Sequence, residues 1–285
     1  MREIKKLNAK EKIFSLLLLN DGRLACSTSN SEILLFDLVN YTDSKISTLH
    51  SKPITYISQL DNSNIISCSL DRTINIFTYP SYTKIDVVST GFTEMKKIIS
   101  LSSNRFAVCS SDSLITIYSN EPPYNIFTQF QKSESNSILQ LKNEEILVSG
   151  SPSFTVHFWS LKTYQLITSF KEIGCFDANS LIQVKRKLII GSIFCVSIIS
   201  LDRLLVDKSI LNLPCSGFSS FAEIKAGIVL CGKGYNNLMV LDVEKNTIEI
   251  AKEEAHRGKI SSLVYYKDSY VISGAYDTYI KVWKI

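Results

Sequence analysis

Short runs in which apolar and polar positions alternate recur along the whole chain: SEILLF, TINIF, LITIY, FTVHFW, CVSIIS, NLMVL and YIKVW. Alternation with a period of two puts every second side chain on one face and predicts half-buried or buried β-strands. The runs close on Phe36, Phe77, Tyr118, Trp159, Ser200, Leu241 and Trp283, giving five intervals of 41 residues and one of 42. A repeat of this length predicts an array of equivalent supersecondary units. Within the second period four strand candidates appear: ITYISQ (54–59), NIISCS (64–69), TINIFT (73–78) and KIDVV (84–88). Turn signals separate them at Asp61-Asn62, Leu70-Asp71-Arg72 and Tyr79-Pro80-Ser81. The fourth period gives SILQL, EILVSG, FTVHFW and QLITSF in the same order.

Nine residues before the seven anchors stand Ser27, Cys68, Cys109, Gly150, Gly191, Gly232 and Gly274, all small. A second strand crowded against its neighbours near a shared centre requires such residues. Strands this short cannot bury apolar faces singly, whereas four-stranded sheets stacked radially bury both faces against each other. The last period reaches only its third strand, and an open sheet edge invites pairing with other chains. The N-terminal REIKKLN is placed to fill the fourth position, with Ile4 and Leu7 as the inward residues and Trp283 in a packed layer between sheets.

These features resemble the WD-repeat (WD40) family of β-propellers, in which a His before the first strand, a Ser or Thr, an Asp and a Trp link the loops of one blade. The last repeat carries all four as His256, Ser273, Asp277 and Trp283. The second carries His50, Ser67 and Asp71, but Phe77 has no ring N–H to complete the set. The third keeps Asp112, the fourth Ser149 and Trp159, and the fifth has Phe194 and Ser200 where Asp and Trp would stand. The resemblance implies an all-β, seven-bladed propeller of four-stranded antiparallel blades, closed by the N-terminal strand pairing into the last blade. The expected organisation is one domain over 1–285. Residues 1–8 form the outer strand of the last blade, and the blades span 9–49, 50–90, 91–131, 132–172, 173–213, 214–255 and 256–285.

Composition narrows the functional classes. The chain is 45% hydrophobic, with a net charge of +4, too small a surplus to imply an acidic partner. LLLL at 16–19 is too short to span a bilayer, and IIGSIFCVSIISL at 189–201 reads as a buried strand, so no membrane insertion is expected. The N-terminus lacks an apolar core of the secretory type. Seven cysteines without a CxxC pair point to a reduced, intracellular protein, cytoplasmic or nuclear. Cys26, Cys68, Cys109 and Cys231 fall at crowded second-strand positions and read as small buried hydrophobes.

Catalytic chemistry finds little support. His50, His157 and His256 are the only histidines, and the two repeat-related ones lie several blades apart. A His bonded to Asp within a repeat fixes its tautomer and ties two loops together, which is a structural role. There is no nucleophile elbow, Walker loop or HExxH helix, and CGKGYNN (231–237) lacks the residues that hold phosphate and Mg²⁺. Asp61, Asp71, Asp112, Asp202 and Asp277 sit mostly in repeat turns, where Asp accepts backbone N–H bonds. No enzyme activity, cofactor or metal is expected.

The expected role is a protein-interaction scaffold or adaptor subunit of an intracellular multiprotein complex. In the resembled family, residues just before the repeat Asp project from the loop-bearing face, here Ser29, Leu70, Ser111, Pro152, Ile193, Gly234 and Tyr276. Leu70, Ile193 and Tyr276, with Arg72 and Arg257 as fork-shaped donors, are the candidate contacts for one or more proteins or peptides. The alternative is an RNA-associated ribonucleoprotein subunit using basic rims, above all Lys185-Arg186-Lys187 in VKRKL, at the turn between the first two strands of the fifth repeat.

Overall fold

The computed structural model describes residues 1–285 except 47, 92, 132–133, 143, 154, 172–177, 179, 194, 211–216 and 234–235. Phe194, Gly234, Cys175 and Cys215 therefore lie outside the described residues. Among the described residues twenty-eight strands form seven four-stranded sheets, antiparallel throughout. In blade two the order from first to fourth strand is Ile54–Gln59, Ile65–Ser69, Thr73–Phe77 and Lys84–Ser89. No helix among the described residues is long and apolar enough to cross a membrane.

The period-two pattern has the strongest consequence in the second and third strands. Leu24–Thr28 and Ile65–Ser69 are buried at every position, because neighbouring blades cover both faces. The core of the described residues is correspondingly divided into seven clusters, each shared by consecutive blades. Ala25, Leu35 and Ile46 of blade one meet Ile54, Ile65 and Phe77 of blade two, for example, and Leu24 and Phe36 meet Ile272 and Ile280 of blade seven. Crowding explains the small residues nine positions before the anchors. A Cβ on Gly191 would stand 2.6 Å from the Phe221 ring of blade six, and one on Gly274 would stand 2.8 Å from Ile13 of blade one.

The ring closes non-covalently. Arg2–Asn8 pairs antiparallel with Tyr279–Lys284 in a sheet completed by Tyr270–Ala275 and Ile260–Tyr266. Leu7 pairs with Ile280 and is buried, and Trp283 is 1% exposed. Ile4 departs from expectation. The register shifts between Glu3 and Lys5, so Ile4 occupies a bulge, and its side chain is 42% exposed. A bulge inserts one unpaired residue and breaks the alternation from which Ile4 was placed inward.

Candidate functional site

The loop-bearing face is built on two side-chain networks. In blade seven, His256 Nδ1 lies 3.0 Å from each carboxylate oxygen of Asp277, and Nε2 lies 2.6 Å from Ser273 Oγ. Trp283 donates its indole N–H to the same Ser273 oxygen at 2.8 Å. Hydrogen-bond inventory fixes the direction: Trp283 donates to Ser273, Ser273 to His256, and His256 Nδ1–H to Asp277. Asp277 also accepts the backbone N–H groups of Arg257 at 2.8 Å and Tyr279 at 3.2 Å, which pins the loop before the first strand to the turn after the second.

Blade two repeats this geometry with one substitution and one addition. His50 Nδ1 is 3.0 Å from Asp71 Oδ2, and Nε2 is 2.8 Å from Ser67 Oγ. Phe77 is buried but offers no donor to Ser67. The addition is Thr73, whose hydroxyl donates to Asp71 at 2.7 Å, alongside the N–H groups of Ser51 at 2.8 Å and Thr73 at 2.9 Å. Burial would raise the pKa of Asp71, but the Thr73 and Ser51 donors and the nearby imidazole prevail and hold it below the usual carboxylate value. Asp277 is likewise lowered, its His256 and Arg257 bonds outweighing burial. Desolvation dominates at His50 and lowers its pKa despite the favourable carboxylate.

Other blades hold fragments of the set. Trp159 donates to Ser149 at 3.0 Å in blade four, and Thr93 N–H reaches Asp112 at 3.2 Å in blade three. His157 is buried with Nδ1 2.7 Å from Ser169 Oγ, a packed position facing one blade surface. Among the described residues no group of three His, Cys, Asp or Glu side chains could hold a metal ion. Cys26, Cys68, Cys109 and Cys231 are buried free thiols, and burial pushes their pKa values up, to about 12 at Cys68 and Cys109. Such thiols are not poised for nucleophilic attack. Cys195 is disulfide-bonded, a pairing that no CxxC spacing announces.

The ring brings Leu70 and Tyr276 to one cavity of about 380 Å³ at the mouth of the central channel, together with Phe14, Glu94, Lys96 and Lys259. The Phe14 and Tyr276 rings are 5.3 Å apart, while the Lys12 and Lys259 ammonium groups stand 6.0 and 5.8 Å from the Tyr276 ring centre. Lys96 is paired with Glu94 at 2.8 Å. Desolvation lowers the Lys259 pKa and raises that of Tyr276. Arg72 and Arg257 are exposed on the same rim, Arg72 with a left-handed φ of 71°. Ile193 is half-buried in blade five and does not line this cavity. Phe14, Lys96 and Lys259 were not among the expected contacts. A signal existed: Phe14, Thr55, Lys96, Ser219 and Ser261 share one repeat phase at the starts of first strands, and all five line the mouth.

The basic triplet has a different setting. Lys185 pairs with Glu244 at 2.9 Å, Arg186 with Asp202 at 2.7 Å and with Glu144, and Lys187 with Glu244 at 3.5 Å. Residues remote in sequence thus neutralise the positive charge at this turn.

Comparison with known proteins agrees with the blade-level geometry. The family model described as "WD domain, G-beta repeat" matches residues 44–78 and 248–284, the regions containing the two histidine networks. No curated protein matches the sequence. A chain in the crystal structure of a mitotic checkpoint complex superposes with a TM-score of 0.88 over 99% of this chain and 91% of that one, at 12% identity. That likeness establishes a shared fold.

Proposed function

We propose that this WD40-repeat domain, a seven-bladed β-propeller, is a non-catalytic scaffold or adaptor subunit of an intracellular multiprotein complex, cytoplasmic or nuclear, and that it engages protein or peptide partners through its loop-bearing face. The observation that carries this reading is the mouth cluster, in which Tyr276 and Phe14 form an aromatic anchor flanked by Lys12 and Lys259. Aromatic anchors on a rigid frame suit interface hot spots, because little side-chain freedom remains to be lost on binding. The two networks supply the frame by fixing the loops that carry Arg257, Tyr276, Leu70 and Arg72. The fold's presence in a mitotic checkpoint complex supports an assembly role at the level of architecture.

The test combines Leu70→Ala, Arg72→Ala and Tyr276→Ala and measures recovery of partners by pull-down, with a thermal melt as a folding control. The expected result is loss of the principal partner from a folded variant; full recovery removes this face from consideration. The ion pairs around Lys185, Arg186 and Lys187 weigh against the ribonucleoprotein alternative, which requires charge available to phosphates.

A further inference from the structure

The seven joins between blades are not equivalent. In the turns between third and fourth strands, Tyr41, Tyr82 and Tyr164 occupy one repeat position and Tyr124 lies one residue beyond it; all four have left-handed backbone with φ between 56° and 58°. Three are covered by the preceding blade. Arg23 of blade one donates to the Tyr82 hydroxyl at 2.6 Å and stacks 4.8 Å above its ring, and Arg105 of blade three lies 5.8 Å above Tyr164. Tyr124 is sunk into the core between blades two and three. Tyr41, at the closure seam, is 38% exposed. The blade-seven residue in the repeat phase of Arg23 and Arg105 is Tyr270, so no guanidinium reaches across.

The uncovered seam contains a cavity of about 270 Å³ walled by Ile4, Val39, Tyr41, Tyr266, Tyr270 and Val282. Its floor is the core shared by blades seven and one. The bulge in the closing strand turns Ile4 into this wall, and Val39 is 71% exposed at its lip. Two cations rim the opening: Lys5 Nζ lies 4.5 Å from the Tyr41 ring centre, and Lys267 Nζ lies 4.9 Å from that of Tyr266. The Lys267 ammonium hydrogen-bonds the Tyr266 side chain. Asp37, the carboxylate of the Val39 turn, is engaged by the N–H groups of Val39 and Asn40. The opening is therefore apolar inside and positive at its edge.

We propose that this seam is a docking site for a short linear segment of a partner protein, which inserts one large apolar side chain between the tyrosines and sets acidic residues against Lys5 and Lys267. The volume lies below the roughly 300–1,000 Å³ of sites that enclose drug-sized ligands, which suits one side chain. These ammonium groups select acidic neighbours and repel basic ones. This site is separate from the channel mouth and does not depend on the role proposed for it.

The probes are three fluorescein-labelled hexapeptides: leucine-phenylalanine flanked on each side by two glutamates, the same core flanked by lysines, and a serine-serine core flanked by glutamates. Fluorescence anisotropy is expected to show saturable binding of the first alone. Val39→Glu, at an exposed lip position, weakens it about ten-fold or more, as expected from lost apolar burial. Lys5→Glu combined with Lys267→Glu reverses the preference toward the lysine-flanked peptide, while the Leu70, Arg72 and Tyr276 variant binds like the parent. Equal binding of the two charged peptides overturns the proposal, as does the absence of saturation at about 1 mM. An unaffected Val39→Glu variant overturns it too. So does sedimentation showing a dimer of the parent chain that Val39→Glu dissociates, since the occupant would then be a second copy.

Discussion

Blades two and seven carry the same histidine, serine and aspartate at the same offsets, yet their hydrogen bonds are completed from opposite ends. Blade seven completes the serine, through the Trp283 indole; blade two completes the aspartate, through the Thr73 hydroxyl. At the position of Thr73, blade seven has Tyr279, which contributes only its backbone N–H to Asp277. The carboxylate is the member neither blade can replace, because it gathers the imidazole and the N–H groups of two loops. Tryptophan is dispensable, since a serine hydroxyl that already donates to His loses only an acceptor contact when the indole is absent. This difference shows why a repeat can lose its most recognisable residue and keep its loops in place.

The largest expected effect comes from removing the carboxylate from each blade. Asp71→Ala strands two backbone N–H groups and the Thr73 hydroxyl, while the His50 N–H keeps the Thr73 oxygen at 3.0 Å as an acceptor; Asp277→Ala strands the His256 N–H and two backbone N–H groups. A loss of about 3 kcal/mol is expected from each, as for hydrogen bonds to a charged acceptor less what water recovers at the exposed loops. Urea midpoints of the two variants check this, and a loss at either no larger than that of a single hydrogen bond would break the comparison. Trp283→Phe converts blade seven to the aromatic state of blade two and removes one hydrogen bond, for an expected loss of about 1 kcal/mol. A loss as large as that of Asp277→Ala would show that the indole, and not the carboxylate, holds the blade.

The smallest effect is pH-dependent. The folded-state pKa of His50 lies below its ordinary value of 6.5, so below that pH the unfolded chain takes up a proton before the folded one and stability falls. Asp71 and Asp277 are also lowered, from 3.8, and their contribution, intact above that value, is lost only in stronger acid. Acid weakening is therefore expected in two stages. Comparing urea midpoints at about pH 7.5 and about pH 5.5 tests the first stage, which His50→Gln should diminish. An identical decline in that variant would assign the stage to another group.

Much of the architecture was legible because a 41-residue period places equivalent side chains at equivalent depths. The small residues before the anchors signalled crowding, and His50, Asp71, His256 and Asp277 stood at matching offsets. Ile4 was misplaced because alternation assumes an unbroken ladder, and a one-residue bulge reverses the facing of the side chain it inserts. The convergence of Phe14, Lys12 and Lys259 on Tyr276 was hidden because they approach from opposite ends of the sequence. For the same reason the basic triplet looked available: Glu144 and Glu244, which neutralise it, lie in the blades on either side.

The amino-acid sequence alone determined the repeat, the strand order within each blade and the internal histidine networks, because these depend on side-chain period and short-range spacing along one chain. Tertiary structure decided which surfaces remain open: the channel mouth, the neutralised turn of blade five and the uncovered seam beside Tyr41. Those depend on what the next blade presents across a join, and ring closure sets residues hundreds of positions apart in direct contact.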